Sequence, residues 1–185
     1  MIIGPWYRPR GVRVAHRSVS QIRAVAQNAR HVLGITEPRM NIVRLLEITL
    51  PQHGIHFHIV EPAQIPGEVA RAETETGRIL VTLPAYDALH TDDAEYQLLV
   101  PHEFAHLALR HSITFARMSA RDAHTALEDS EVQADLFSHE FAMPGELVRR
   151  HCRSIADIMR AFNVPRQDAG IRAQILRQDG VIDWG

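Results

Sequence analysis

The sequence HEFAH, residues 102–106, lies between two apolar segments, LLV at 98–100 and LAL at 107–109. Residues four apart in an α-helix lie on the same face, so a helix here would present His102 and His106 to one metal ion. Because the flanking residues are apolar, we expect the helix to be buried on at least one side. This stretch therefore predicts a partly buried helix that carries two metal ligands.

The residue after the first histidine, Glu103, completes the pattern H-E-x-x-H. In this pattern two neutral imidazoles bind zinc, while the carboxylate acts as a base and does not bind the metal. Zinc lowers the pKa of a bound water to about 7, and a nearby carboxylate can take the proton as that water attacks a carbonyl. We therefore expect zinc on His102 and His106, with Glu103 as the catalytic base.

Catalytic zinc usually has a third protein ligand. The metzincin pattern, with a glycine and a histidine three and six residues after the second motif histidine, is excluded because those positions hold Leu109 and Ser112. The third ligand must therefore come from a later helix. The candidates are Glu128, Asp129, Glu131, Asp135, His139 and Glu140.

Two of these candidates, Glu131 and Asp135, are four residues apart and share a helix face. One of them could bind the metal while the other orients a ligand histidine through its second ring nitrogen. The later segment HEFAM, residues 139–143, repeats HEFAH except for its last residue. Met143 is a poor zinc ligand, so we do not interpret this copy as a second metal site.

The hydrophobic periodicity predicts an α+β fold with N-terminal helices, a small antiparallel or mixed sheet, and a helical half that carries the HExxH helix. The chain would divide into an irregular basic arm (1–17), a single metallopeptidase domain (18–178) and a C-terminal tail (179–185). The elements are expected at about 18–33 and 41–51 (helices), 55–60, 69–73 and 78–83 (strands), and 93–111, 114–121, 127–142, 145–152, 154–162 and 165–178 (helices).

The composition of the chain indicates its cellular compartment and limits the classes of partner to be expected. The chain has no apolar run long enough to cross a bilayer, and we expect no secretory leader because residues 1–10 contain no apolar segment of the kind such leaders need. Its one cysteine, Cys152, cannot form an internal disulfide, so we expect a cytoplasmic protein without membrane contact. Residues 1–36 contain six arginines and no acid. Such an arm could contact nucleic acid or an acidic partner, or simply be solvated, and with no evident recognition helix we do not expect direct nucleic-acid binding.

These motifs resemble those of the ImmA/IrrE family of metallopeptidases, in which H-E-x-x-H is followed by E-x-x-A-(N/D)-x-F-A and then Met-Pro. The chain has EVQADLFS at 131–138 and AMP at 142–144, and FNVP at 162–165 is similar to the family's trailing element. Pro101 departs from the family pattern and is expected to kink the helix or mark its start. Residues 1–17 have no counterpart in the family.

The resemblance implies a compact domain in which Glu131 is the third zinc ligand, which leaves Asp135 to orient a histidine. It also implies a zinc endopeptidase that hydrolyses a peptide bond in a protein substrate, commonly a helix-turn-helix transcriptional repressor. The alternative is a non-proteolytic metal-bound regulator, or a toxin–antitoxin component, that acts by binding its partner. Four further residues are possible oxyanion stabilisers, although each is more simply structural: Tyr86, Tyr96, His111 and His124.

Overall fold

The computed structural model describes residues 7–111 and 124–184, so the helix expected at 114–121 lies outside the described residues. The described chain is α+β, as predicted, and none of its helices has the length and apolarity needed to cross a membrane. The elements are α1 (Val19–Val32), α2 (Ile42–Arg44, continued by the π-helical turn Leu45–Thr49 and by Leu50–Gln52), β1 (His56–Val60), β2 (Ala70–Glu73), β3 (Arg78–Thr82), α3 (Leu83–Leu89), α4 (Leu99–Ala108), α5 (Ser130–Ala142), α6 (Gly145–His151), α7 (Ile155–Phe162) and α8 (Arg166–Gln178).

The sheet is mixed and has the strand order β1-β3-β2. β2 and β3 form the expected antiparallel hairpin, whose turn contains Gly77 at a positive φ of 66°. β1 runs parallel to β3 at the opposite edge, and its Ile59 is 45% exposed. The central strand β3 is the best buried, with Ile79 and Val81 fully enclosed.

The metal-motif helix α4 is shorter than expected, because it begins at Leu99 and a separate helical turn, Ala94–Tyr96, precedes it. Pro101 lies in the first turn of α4. The first N–H groups of a helix have no intrahelical acceptor, so proline costs little there. Of the two expectations for Pro101, a kink or the true helix start, the start is correct.

Helices α4 and α5 contact each other through three aromatic rings. Phe104 of α4 lies edge-on to Phe137 and Phe141 of α5, with ring centroids 5.7 and 5.6 Å apart. Phe137 and Phe141 are fully buried, and Phe104 is 5% exposed. This contact brings the first turns of α5 beside the histidines of α4.

The N-terminal arm, of which residues 7–17 are described, lies along the start of α5. The backbone N–H groups of Arg10 and Gly11 donate to Asp129 at 3.0 and 2.8 Å, and the N–H of Val12 donates to the Ser130 hydroxyl at 3.1 Å. Asp129 is fully buried and also caps α5 by accepting from the N–H of Val132. The arm is therefore held against the body by backbone hydrogen bonds, while the division into arm, domain and tail stays a prediction.

The arginines of the first 36 residues are largely engaged with the rest of the chain, rather than simply solvated. Arg10 and Arg13 form ion pairs, and Arg17 and Arg30 donate to backbone carbonyls. The ion pairs of this region are Arg10 with Asp135, Arg13 with Glu128, and Arg23 with both Glu140 and Asp179.

The close approach of the arm to α5 requires glycine at position 11. A methyl group there would lie 2.4 Å from the Ser130 hydroxyl and 2.9 Å from the backbone nitrogen of Glu131. Gly11→Ala should therefore lower the free energy of unfolding by about 1–3 kcal/mol, the usual cost of overpacking. Urea denaturation measures this change.

The matched control is Gly170→Ala in α8, where no heavy atom outside the helix's own nearby backbone lies within 4 Å of the added methyl. Alanine is favoured over glycine inside a helix by roughly 0.5–1 kcal/mol, so this variant should be slightly more stable. Equal stability of the two variants would show that the arm is not packed as described.

Candidate metal centre

His102, His106 and Glu131 converge on one point between α4 and α5. The Nε2 atoms of His102 and His106 are 3.3 Å apart. The Glu131 carboxylate oxygens lie 3.1 Å from Nε2 of His102 and 3.4 Å from Nε2 of His106. One ligand atom from each residue thus lies within 4.8 Å of the other two. The structure therefore brings together the three residues expected to bind the metal.

This donor set fits a catalytic zinc ion, which is commonly held by two imidazoles and one carboxylate. A hydrogen bond from His102 lowers the pKa of Glu131 to about 2, so the carboxylate is ionised at neutral pH. Burial lowers the pKa of His106 below its ordinary value, which favours the neutral imidazole that a metal requires. The charges and atom types of the cluster therefore suit a divalent cation such as zinc.

His102 contacts Asp135, the residue expected to orient a ligand histidine. Nδ1 of His102 donates to one carboxylate oxygen of Asp135 at 3.1 Å, and the other oxygen pairs with Arg10 at 2.7 Å. Burial alone would lower the pKa of His102, but the hydrogen bonds to Asp135 and Glu131 outweigh it and raise the pKa to about 10. The cluster therefore attracts positive charge, whether a proton on His102 or a metal cation.

Glu103 lies beside the cluster but not within it. Its side chain is nearly buried, and one carboxylate oxygen accepts a hydrogen bond of 2.7 Å from the N–H of Ala72 on β2. Burial raises the pKa of Glu103 above its ordinary value. Glu103 and the three candidate ligands line one open cleft of about 520 Å³, bounded by β2 on one side and by the arm on the other.

His111 also belongs to this centre. Its ring lies against His106, with the two Nδ1 atoms 3.0 Å apart, and His111 is 7% exposed. From the sequence, His111 is only a possible oxyanion stabiliser, because a histidine five residues after His106 follows no ligand spacing. Tyr86, Tyr96 and His124 do not line the described part of the cleft.

The other third-ligand candidates have partners away from the cluster. Asp129 caps α5, and Glu140 lies beside the buried Arg172 at 2.7 Å. Met143, the last residue of the HEFAM copy, is fully buried at the end of α5. Cys152 is buried, and burial raises the pKa of its thiol to about 11. The two third-ligand candidates that remain are also paired elsewhere: Glu128 with Arg13, and His139 with Tyr7 and Asp168.

Comparison with known proteins identifies a similar fold. No family model matches the chain, and no curated protein matches it. Among solved structures, the chain is similar to a Mycobacterium tuberculosis transcriptional regulator, with a TM-score of 0.54 and 14% sequence identity. The match covers 82% of this chain and 46% of the regulator, so the chain spans less than half of that protein. At this identity the likeness shows the fold alone.

The contact between Asp135 and His102 leads to a testable expectation. Replacing Asp135 with alanine removes the acceptor that fixes the ring of His102, so zinc affinity should fall by about 10–100-fold. Competition with a chromogenic zinc chelator measures the affinity.

The matched control is Asp87→Ala, which removes an exposed carboxylate from α3. It should leave zinc affinity unchanged. If Asp135→Ala binds zinc as tightly as this control does, Asp135 does not orient the ligand.

Proposed function

We propose that the protein is a zinc-dependent endopeptidase that hydrolyses a peptide bond in a protein substrate. His102, His106 and Glu131 hold the zinc ion, and Glu103 is the catalytic base. One observation carries the proposal: three ligand atoms within 4.8 Å of one another share a cleft with a nearly buried carboxylate that is not a ligand. A site that only bound metal would have no need of this fourth group.

The zinc ion, when bound, would lower the pKa of a coordinated water to about 7 and polarise the substrate carbonyl. Glu103 supplies the proton transfers. The N–H of Ala72 holds one of its oxygens at 2.7 Å, which leaves the second oxygen available to the reacting groups. Its raised pKa brings the carboxyl closer to neutral pH, where a group that both takes and returns a proton works best. Glu103 takes a proton from the attacking water and returns it to the leaving amine as the C–N bond breaks.

The substrate class rests on the resemblance to the ImmA/IrrE peptidases, and we propose a helix-turn-helix repressor. The cleft of about 520 Å³ is open to solvent and large enough for a short extended segment of a protein chain. A repressor works beside DNA inside the cell, and the single cysteine of the chain, buried at the end of α6, suits a reducing compartment. We therefore propose that the reaction takes place in the cytoplasm.

Glu103→Gln tests the enzyme directly. Glutamine keeps the size of the side chain and an acceptor for the N–H of Ala72, but it cannot carry the proton. Cleavage should fall by about 10²–10⁴-fold, the usual cost of losing a general base. The measurement follows cleavage by mass spectrometry in zinc-loaded protein, with the helix-turn-helix repressor encoded nearest to it in the same genome as substrate.

The control is Glu131→Gln, which should lose both zinc and cleavage, whereas Glu103→Gln should keep its zinc. Loss of zinc in Glu103→Gln would mean that Glu103 is a ligand. Full cleavage by the Glu103→Gln variant would mean that Glu103 is not the catalytic base. If the repressor is inactivated in cells equally well by Glu103→Gln and by the wild type, the protein acts by binding and is not a peptidase.

A further inference from the structure

The amide of Gln133 on α5 has a fixed orientation. Its Nε2 donates to two backbone carbonyls, that of Ala15 in the arm at 2.9 Å and that of Leu127 at 2.7 Å. Carbonyl oxygens only accept hydrogen bonds, so a flipped amide would place its own oxygen against two acceptors. Since Gln133 is fully buried, such a mismatch would be costly. The amide oxygen must therefore face the remaining neighbour, His111.

The orientation of Gln133 assigns the protons of the two neighbouring histidines. Nε2 of His111 lies 3.1 Å from the Gln133 oxygen, so Nε2 carries a proton and donates it. A neutral imidazole has one N–H, which makes Nδ1 of His111 an acceptor. This Nδ1 is 3.0 Å from Nδ1 of His106, so His106 is the donor. The lone pair of His106 is then on Nε2, the atom that faces His102 and Glu131.

The end of α4 holds His111 in this position. The N–H of His111 donates to the carbonyl of His106 at 3.0 Å, and the N–H of Arg110 donates to that of Leu107 at 3.1 Å. Arg110 has a positive φ of 52°. This pair of hydrogen bonds with a left-handed residue is the Schellman arrangement that closes many helices. It folds the chain back over the last turn, so the backbone of His111 is tied to that of the ligand it contacts.

We propose that His111 and Gln133 are positioning residues that fix His106 as its Nδ1–H tautomer and direct its Nε2 lone pair at the metal. This inference rests on the proposed metal centre. The two ligand histidines then differ in their hydrogen-bond acceptors. His102 donates to the carboxylate of Asp135, whereas His106 donates to the neutral ring of His111. An ionised partner strengthens a hydrogen bond and a neutral partner does not, so the two ligands are held with unequal strength.

Zinc affinity and a spectroscopic signature together test this proposal. His111→Phe keeps the ring volume but removes the acceptor, so zinc affinity should fall by about 10–100-fold. His111→Asn places a carboxamide oxygen near the position of the lost Nδ1 and should restore most of the affinity. In nitrogen-15 NMR of the wild type, Nδ1 of His106 should show a one-bond coupling to its proton, and a coupling across the hydrogen bond should join it to the unprotonated Nδ1 of His111.

The control is His139→Phe, which replaces a different buried histidine, on α5, that contacts Tyr7 and Asp168 instead of the cluster. It should lower stability without changing zinc affinity. The proposal is overturned if His111→Phe binds zinc like the wild type, or if His139→Phe loses as much affinity. It is also overturned if, in metal-free protein, the coupling across the hydrogen bond is absent or the proton is on Nδ1 of His111. A wild type that binds no zinc would refute the proposed function, and the position of the proton, on Nδ1 of His106 or of His111, would still decide the hydrogen-bond assignment.

Discussion

The packing of α4 on α5 is the constraint on which the candidate metal centre depends. Phe104 meets Phe137 and Phe141 at about the distance expected for favourable aromatic pairs, and burial of these rings fixes how the two helices are rotated against each other. Successive side chains of an α-helix point about 100° apart around its axis. A shift of the α5 sequence by one residue would therefore carry Glu131 away from the histidines. An aromatic contact in the core therefore sets the geometry of the polar cleft.

The two helices do not complete the site alone, because the N-terminal arm supports both groups that orient the histidines. Arg10 pairs with Asp135, which holds His102, and the carbonyl of Ala15 anchors the amide of Gln133, which faces His111. Two arginines of the arm, Arg10 and Arg13, thus pair with acids of the chain itself.

The sequence predicts the features that depend on the spacing of nearby residues. A separation of four residues places His102 with His106, and Glu131 with Asp135, on shared helix faces, and the fold class follows from the change of hydrophobic period along the chain. His111 could not be assigned in this way, because its position depends on the left-handed backbone of Arg110. Arg10 was also missed as a partner of Asp135, since that contact joins residues 125 positions apart. Periodicity identifies which faces are buried, but it does not identify long-range partners.

The central claim is that zinc binds to residues of both α4 and α5 while Glu103 stays free. Anomalous diffraction recorded at the zinc absorption edge, from crystals grown with zinc, tests it most directly. The account expects one zinc peak in contact with Nε2 of His102, Nε2 of His106 and the carboxylate of Glu131, and no contact with Glu103. A zinc ion bound by Glu103, or the absence of zinc between these helices, would contradict it.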